Sequence, residues 1–152
     1  MKIWIDGDAC PKTIKQILFR AAMKRRVMVV IVANHLAMIP PSPFISRVQV
    51  DSGFDKADNY IVSQVMPADL VITSDIILAD LVVSKHAHAL NPRGILYTPL
   101  NIKQILTMRH INESLRETGQ IRGGLDTFNA KEIQQFSNHL DKIITASISS
   151  HF

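Results

Sequence analysis

The stretch Val27–Ala33, with the sequence VMVVIVA, is apolar at every position and rich in β-branched side chains. It lacks the polar and apolar alternation of a strand with one wet face, which is typical of a strand covered on both faces of a parallel sheet. We therefore predict a central strand here. With it we predict an α/β fold, because parallel strands need helices to connect them and to cover both faces of the sheet.

Strand and helix patterns alternate on both sides of this run. Before it lie the apolar run Lys2–Ile5 and helical spacing over Pro11–Arg25. After it we predict these elements: a strand near a sheet edge over Arg47–Val50, a helix from an S-x-x-D capping box at Ser52–Asp55 to Val65, a strand over Asp69–Thr73, a helix over Ile76–Lys85 and a last strand over Ala87–Leu90. This order predicts a Rossmann-like, mostly parallel central sheet with helices on both faces and right-handed crossovers.

From Asn101 onward the pattern is helical only, in two segments separated by Gly119–Asp126, so we predict a C-terminal helical hairpin. The chain has 152 residues, 47% of them hydrophobic, which predicts a single domain over residues 1–152. No leader pattern is present and no apolar run approaches the roughly 20 residues of a membrane span, so we expect a cytoplasmic protein. Cys10 is the only cysteine, which excludes an internal disulfide and favours a small buried thiol.

Aspartates follow two of the predicted strands. Asp6 and Asp8 come directly after the first strand, and Asp75 comes after the strand Asp69–Thr73. The carboxyl ends of parallel strands meet at one edge of the sheet, where such folds bind their ligands. We therefore expect these three carboxylates to lie near one another.

A fourth aspartate, Asp58, lies on the apolar stripe of the helix that leads into the strand Asp69–Thr73. Phe54, Ile61 and Val65 complete this stripe at four-three-four spacing. A carboxylate in such a position needs a partner. Asp55 on the same helix, like Asp75, is also explained by helix capping, and for each of these two taken alone we prefer that explanation.

Carboxylates a few ångströms apart raise one another's pKa unless a cation or a proton lies among them. Mg²⁺ and Mn²⁺ suit such an open oxygen site, where they polarise a phosphodiester and lower the pKa of an attacking water. We therefore predict Asp6, Asp8, Asp58 and Asp75 as the metal ligands and catalytic residues of a divalent-metal-dependent phosphodiesterase. Nucleic acid is the expected substrate, RNA before DNA, and the oligomeric state stays open.

Basic residues beside flexible backbone are the candidate phosphate binders. Asn91 and Arg93 stand in the segment Asn91-Pro92-Arg93-Gly94 after the last predicted strand, where turn formation is an equal explanation. For Arg122-Gly123-Gly124 we favour a turn. The formal charge is only +4, but basic residues crowd the first fifth of the chain, and Lys12 is the candidate substrate ligand among them.

The motifs Ile5–Pro11, Gly53–Asp58, Asp69–Asp75, Ala89–Gly94 and Gly123-Gly124 together resemble the YaiI/YqxD family of bacterial proteins. That family is similar to the PIN-like nucleases, and the resemblance implies a PIN-like fold in which acidic residues at strand ends surround magnesium or manganese. By position it implies that Asp6, Asp8, Asp58 and Asp75 are these acidic residues, and that Asn91 and Arg93 belong to the motif after the last strand.

Two other functions stay open at this point. A strand followed by D-x-D is also found in haloacid-dehalogenase-like phosphatases, in which Asp6 would be the nucleophile. A non-catalytic module that binds RNA or a protein is the other alternative, because a fold does not fix a function. The basic side chains of Lys12 to Arg26 would then supply most of the affinity.

Overall fold

The computed structural model of the chain describes residues 1–53, 55–117 and 129–149, in which strands and helices alternate. The strands are β1 (Lys2–Asp6), β2 (Met28–Ala33), β3 (Ile45–Gln49), β4 (Leu70–Ile72), β5 (His88–Leu90) and β6 (Leu96–Tyr97). The helices are α1 (Lys12–Arg25), α2 (Lys56–Gln64), α3 (Ile76–Ser84), α4 (Pro99–Glu117) and α5 (Ala130–Ser149).

The strands form one sheet in the order β3-β2-β1-β4-β5-β6. All neighbouring pairs are parallel except β5 and β6, which are antiparallel. The predicted α/β fold with a mostly parallel, Rossmann-like sheet is therefore confirmed. The apolar run that defines β2 lies inside the sheet, and β3 lies at an edge, as predicted.

The sheet extends one strand further than the sequence predicts. β6 has only two residues and pairs with β5 after the turn at Asn91–Gly94. The prediction of β5 as the last strand was wrong, because two residues are too few to show the period-two pattern of a strand.

Helices cover both faces of the sheet, as predicted. Ile3 and Ile5 of β1 pack with Leu18 of α1 and Phe136 of α5. Trp4, which points to the other face, packs in a separate core with α2, α3 and α4.

The two helices predicted for the C-terminal third are both present, but the described parts do not share one face of the sheet. Ile102 of α4 lies in the core with Trp4, whereas Phe136 of α5 lies in the core with Ile3. Helical spacing shows that each segment buries a stripe, but it does not show which face of the sheet that stripe covers. The predicted segment Gly119–Asp126 between them lies outside the described residues.

The capping box predicted at Ser52–Asp55 does not form. The structure begins α2 at Lys56, and its N-cap residue, Asp55, has φ of 62° and makes no side-chain capping hydrogen bond. A capping side chain normally extends from a residue in the β region of the backbone map, which Asp55 does not occupy. The Asp55 carboxylate is therefore not used to cap the helix. Phe54, predicted on the apolar stripe, lies outside the described residues.

Asp69 is a buried carboxylate at the opposite end of the sheet from the strand-end aspartates. It accepts hydrogen bonds from the backbone N–H of Lys2 at 2.9 Å, the indole N–H of Trp4 at 3.1 Å and the backbone N–H of Met66 at 3.0 Å. These bonds fasten β1 to the turn that precedes β4. Asp69 therefore has a structural explanation.

We expect Asp69→Ala to lower the free energy of unfolding by about 3 kcal/mol, because two backbone N–H groups and the indole N–H of Trp4 lose their buried acceptor. Urea denaturation followed by circular dichroism measures this change. Asp80→Ala is the matched control on α3 and should change stability by no more than about 0.5 kcal/mol. Equal losses of stability in Asp69→Ala and Asp80→Ala would contradict the structural role of Asp69.

Among the described residues, no helix combines the length and the apolar character that crossing a membrane requires.

Candidate functional site

Thr73 joins the ends of β1 and β4. Ile5 of β1 pairs with Ile72 of β4, so Asp6 and Thr73 follow the register side by side. The Thr73 hydroxyl donates to Asp6 Oδ2 at 3.1 Å and accepts from the backbone N–H of Asp75 at 3.0 Å. Thr73 is 1% exposed, so it fixes the two aspartates relative to each other from inside the protein.

Three carboxylates converge beside this link. One oxygen from each of Asp55, Asp58 and Asp75 lies within 4.8 Å of the others, and we call these three residues the acidic cluster. Asp58 projects from the first turn of α2, and Asp55 is the N-cap of that helix. The structure therefore brings together Asp58 and Asp75, which were predicted, with Asp55, for which capping was preferred.

Asp75 has both of the roles considered for it. Its Oδ1 accepts from the backbone N–H groups of Ile77 at 2.9 Å and Leu78 at 3.2 Å, which caps α3. The same carboxyl group belongs to the acidic cluster. Capping and clustering are thus compatible at the N-terminus of a helix, where the helix dipole also favours negative charge.

The cluster holds more negative charge than its surroundings stabilise. The pKa of Asp58 is raised from 3.8 to about 7, first by burial, then by a hydrogen bond with Asp75, which requires a proton on one of the two carboxyl groups. Repulsion from Asp6, Asp75 and Asp55 adds to this pKa shift. A proton or a cation at this position would relieve the repulsion.

Asp6 is the most buried of the predicted site residues, with 8% exposure. Burial is the main cause that raises its pKa, repulsion from Asp75 and Asp8 adds to the rise, and the hydrogen bond from Thr73 opposes it. Asp6 therefore interacts electrostatically with Asp58 and Asp75. Its carboxylate is not one of the three that lie within 4.8 Å of one another.

Asp8 faces the same side but is bound to the segment that follows β2. It accepts from the backbone N–H of Asn34 at 3.0 Å, and its Oδ1 lies 3.1 Å from Nδ1 of His35. A cleft of about 240 Å³, which we call the acidic cleft, has Asp6, Asp8, Asp51, Asp55 and Asp58 in its lining. The structure thus places Asp8 in this cleft, beside Asn34, which also lines it, and His35, which lines a neighbouring groove.

Asn91 shapes the turn between β5 and β6. Its side-chain amide donates to the Tyr97 hydroxyl at 2.8 Å, and its Oδ1 accepts from the backbone N–H of Arg93 at 2.7 Å. Tyr97 is buried, and Asp75 contributes to raising its pKa after the larger effect of burial. Tyr97 therefore lies within electrostatic range of Asp75, although neither Asn91 nor Tyr97 is among the residues that line the described acidic cleft.

Arg93 is turned toward α5. Its guanidinium forms an ion pair with Glu132 at 3.0 Å. A Cβ on the neighbouring Gly94 would meet Gln135 Cβ at 2.8 Å, so the turn packs tightly on that helix. Sequence spacing could not show this pairing, because Arg93 and Glu132 are 39 residues apart. The predicted role of Arg93 in binding substrate stays a prediction.

Lys12 lies at the start of α1 and lines a different, larger groove. Cys10 is buried next to that helix, and burial raises its pKa to about 12, which keeps it a neutral thiol. The loop Arg122-Gly123-Gly124, considered as a phosphate binder, lies outside the described residues.

The fold and the site together define an α/β protein with a mostly parallel sheet and an acidic cluster at the carboxyl ends of its strands. A family model described as "Uncharacterized BCR, YaiI/YqxD family" matches residues 4–146. The chain belongs to this family, which the sequence motifs had indicated.

Curated relatives carry the name UPF0178 protein. The chain is 57% identical to one from Shewanella sp. (strain ANA-3) over 141 residues, which is 93% of this chain and 94% of the relative. It is 53% identical to one from Maridesulfovibrio salexigens over 149 residues, which is 98% of this chain and 99% of the relative. No solved structure matches the chain significantly.

Proposed function

We propose that this protein is a divalent-metal-dependent phosphodiesterase that cleaves nucleic acid at the acidic cluster. The observation that carries the proposal is the convergence of Asp55, Asp58 and Asp75 within 4.8 Å. Helix capping alone does not explain it, because Asp55 makes no capping bond and the pKa of Asp58 is raised to about 7.

The donor set fits magnesium or manganese. Both are hard cations that take carboxylate oxygens together with water and phosphate oxygens, which requires an open site. Asp55, Asp58 and Asp75 would hold the cation. Asp6 and Asp8 add negative charge along the acidic cleft, which Asp55 and Asp58 also line. When bound, such a cation polarises the phosphodiester and lowers the pKa of the attacking water.

The protein's own residues would supply orientation and charge. Thr73 positions Asp6 through its hydroxyl proton and holds the backbone N–H of Asp75 through its oxygen. An Asp58 carboxyl whose pKa is about 7 releases its proton near neutral pH, so at that pH a cation would displace the proton at little cost. The buried Thr73 thus sets the relative positions of Asp6 and Asp75. The substrate would enter from the open side of the acidic cleft.

A cleavage assay tests this proposal. Purified protein with Mn²⁺ should cut labelled RNA or single-stranded DNA, and EDTA should stop the reaction. Asp75→Asn should reduce the rate about 100-fold, because asparagine still caps α3 but removes the negative charge. Asp80→Asn on the same helix is the control and should retain the wild-type rate. Undiminished cleavage by Asp75→Asn would exclude this site.

A further inference from the structure

A groove of about 910 Å³ lies beside the acidic cleft, between α1 and residues 35–40. The helix contributes Lys12, Lys15, Phe19, Arg20 and Met23, spaced so that they follow one face of α1. We call this surface the basic groove. The nuclease proposal does not by itself account for it.

The charge of the basic groove is of one sign. Lys12, Lys15 and Arg20 line it, and no carboxylate is among its described lining residues. Within the described parts of the chain, none of these three side chains forms an ion pair. The three positive charges extend over about 12 Å of helix, so they suit a ligand whose negative charges are regularly spaced.

Residues 35–40, which line the groove opposite α1, expose apolar side chains to solvent, and hydrogen bonds hold their backbone. Leu36 is 60% exposed and Met38 is 92% exposed, whereas Ala37 between them is buried. The Ala37 carbonyl accepts from the Arg47 guanidinium at 2.9 Å, and the Asn34 backbone N–H is held by Asp8. Because the backbone is anchored on both sides of Leu36, the exposed pair is preorganised for contact with a partner.

The basic groove and the acidic cleft are connected. His35 lines the groove, Asp8 lines the cleft, and the two side chains lie 3.1 Å apart. A polymer bound along α1 would therefore reach the acidic cluster without leaving the protein surface.

From this arrangement we propose that the basic groove binds a single-stranded nucleic acid and leads its backbone into the acidic cleft. The role of the cleft in this inference rests on the proposed function. Phosphates would contact Lys12, Lys15 and Arg20, and unpaired bases would pack on Leu36 and Met38. A duplex hides the faces of its bases, and an acidic peptide does not join a flat ring to each of its negative charges as a nucleotide does, so both fit this combination less well.

Fluorescence anisotropy in EDTA tests the inference, because binding is then measured without cleavage. The probes are labelled single-stranded RNA and single-stranded DNA 12-mers, the corresponding duplexes and an acidic peptide of similar charge. The combined variant Lys12→Gln, Lys15→Gln and Arg20→Gln should bind single strands at least about 30-fold more weakly. The slope of log K against log salt should fall in magnitude by about 2, since about 0.7 counterions are released for each phosphate contact on a single strand.

Two further variants keep the test specific. The combined variant Lys103→Gln, Lys131→Gln and Lys142→Gln removes the same charge from exposed lysines on α4 and α5 and should lose no more than about threefold in affinity. Leu36→Ser with Met38→Ser should weaken single-strand binding about fivefold, because it removes apolar surface that the bases would cover, and should leave any duplex binding unchanged. Whether RNA or DNA binds more tightly identifies the natural strand.

Several results would overturn the inference: equal losses of affinity in the groove variant and in the control variant with three lysines replaced, duplex or acidic peptide bound as tightly as the single strand, or no binding to any strand. Failure of the proposed function is a separate outcome. In that case single strands bind through the basic groove in EDTA, but no cleavage follows when Mn²⁺ is added.

Discussion

Replacing Asp58 with asparagine should change activity and stability in opposite directions. Manganese-dependent cleavage should fall about 1000-fold, because the variant loses a carboxylate at the centre of the acidic cluster and several kcal/mol of charge stabilisation with it. In EDTA at pH 8 the variant should be more stable than the wild type by about 1–2 kcal/mol, because the repulsion from Asp6, Asp55 and Asp75 is removed.

The sign of the stability change follows from the raised pKa. Asp58 binds its proton more tightly in the folded chain, with a pKa of about 7 against an ordinary value of 3.8. The folded state therefore takes up a proton between these pH values, and wild-type stability falls as pH rises through that window. Below about pH 3 the wild-type residue is neutral in both states, so the advantage of Asp58→Asn should disappear there. The stability difference is small because water in the open cleft screens part of the repulsion.

Thermal melts at several pH values, combined with the cleavage assay, measure both effects. Asp80→Asn is the control, because Asp80 lies on α3 outside the acidic cluster. It should change neither the rate nor the stability by more than about 0.5 kcal/mol. An Asp58→Asn variant that is less stable than the wild type in EDTA at pH 8 would show that the carboxylate makes favourable contacts there, which contradicts the clustering argument.

The sequence predicts most directly those site residues that come immediately after a strand. Asp6 and Asp75 stand directly after apolar runs, and parallel strands must end at a common edge. Asp58 was predicted for another reason, because a charged residue on the apolar stripe of a helix needs a partner. All three lie within electrostatic range of one another in the structure.

Asp55 and Arg93 show why other features of the site could not be predicted from the sequence. The letters S-x-x-D match a capping box, but the left-handed backbone of Asp55 is set by the path of the chain into α2, which no local pattern reveals. Arg93 beside glycine is typical of a phosphate loop, but its ion pair with Glu132 depends on where α5 docks. Tertiary packing decides both cases, and it also decides on which face of the sheet α4 and α5 lie.

Manganese should stabilise the wild-type protein strongly at pH 8 and weakly at pH 5.5. At a concentration about 100 times the dissociation constant, a ligand that binds only the folded state adds about 2.7 kcal/mol, which for a chain of this size corresponds to a rise in Tm of about 5–10 °C. The cation must displace the proton of Asp58, whose pKa is raised to about 7. Affinity should therefore weaken by about tenfold for each pH unit below 7 and become constant above it.

Differential scanning fluorimetry with a manganese titration at each pH measures this dependence, and the choice of variants locates the cation. Asp58→Asn and Asp75→Asn should lose most of the shift in Tm, because each removes a carboxylate from the acidic cluster. Asp8→Asn should keep most of it, since the Asp8 carboxylate is held by Asn34 and His35 at the edge of the cleft. A shift that is independent of pH, or one that survives in Asp58→Asn, would place the bound cation elsewhere and remove the main support for cleavage at this site.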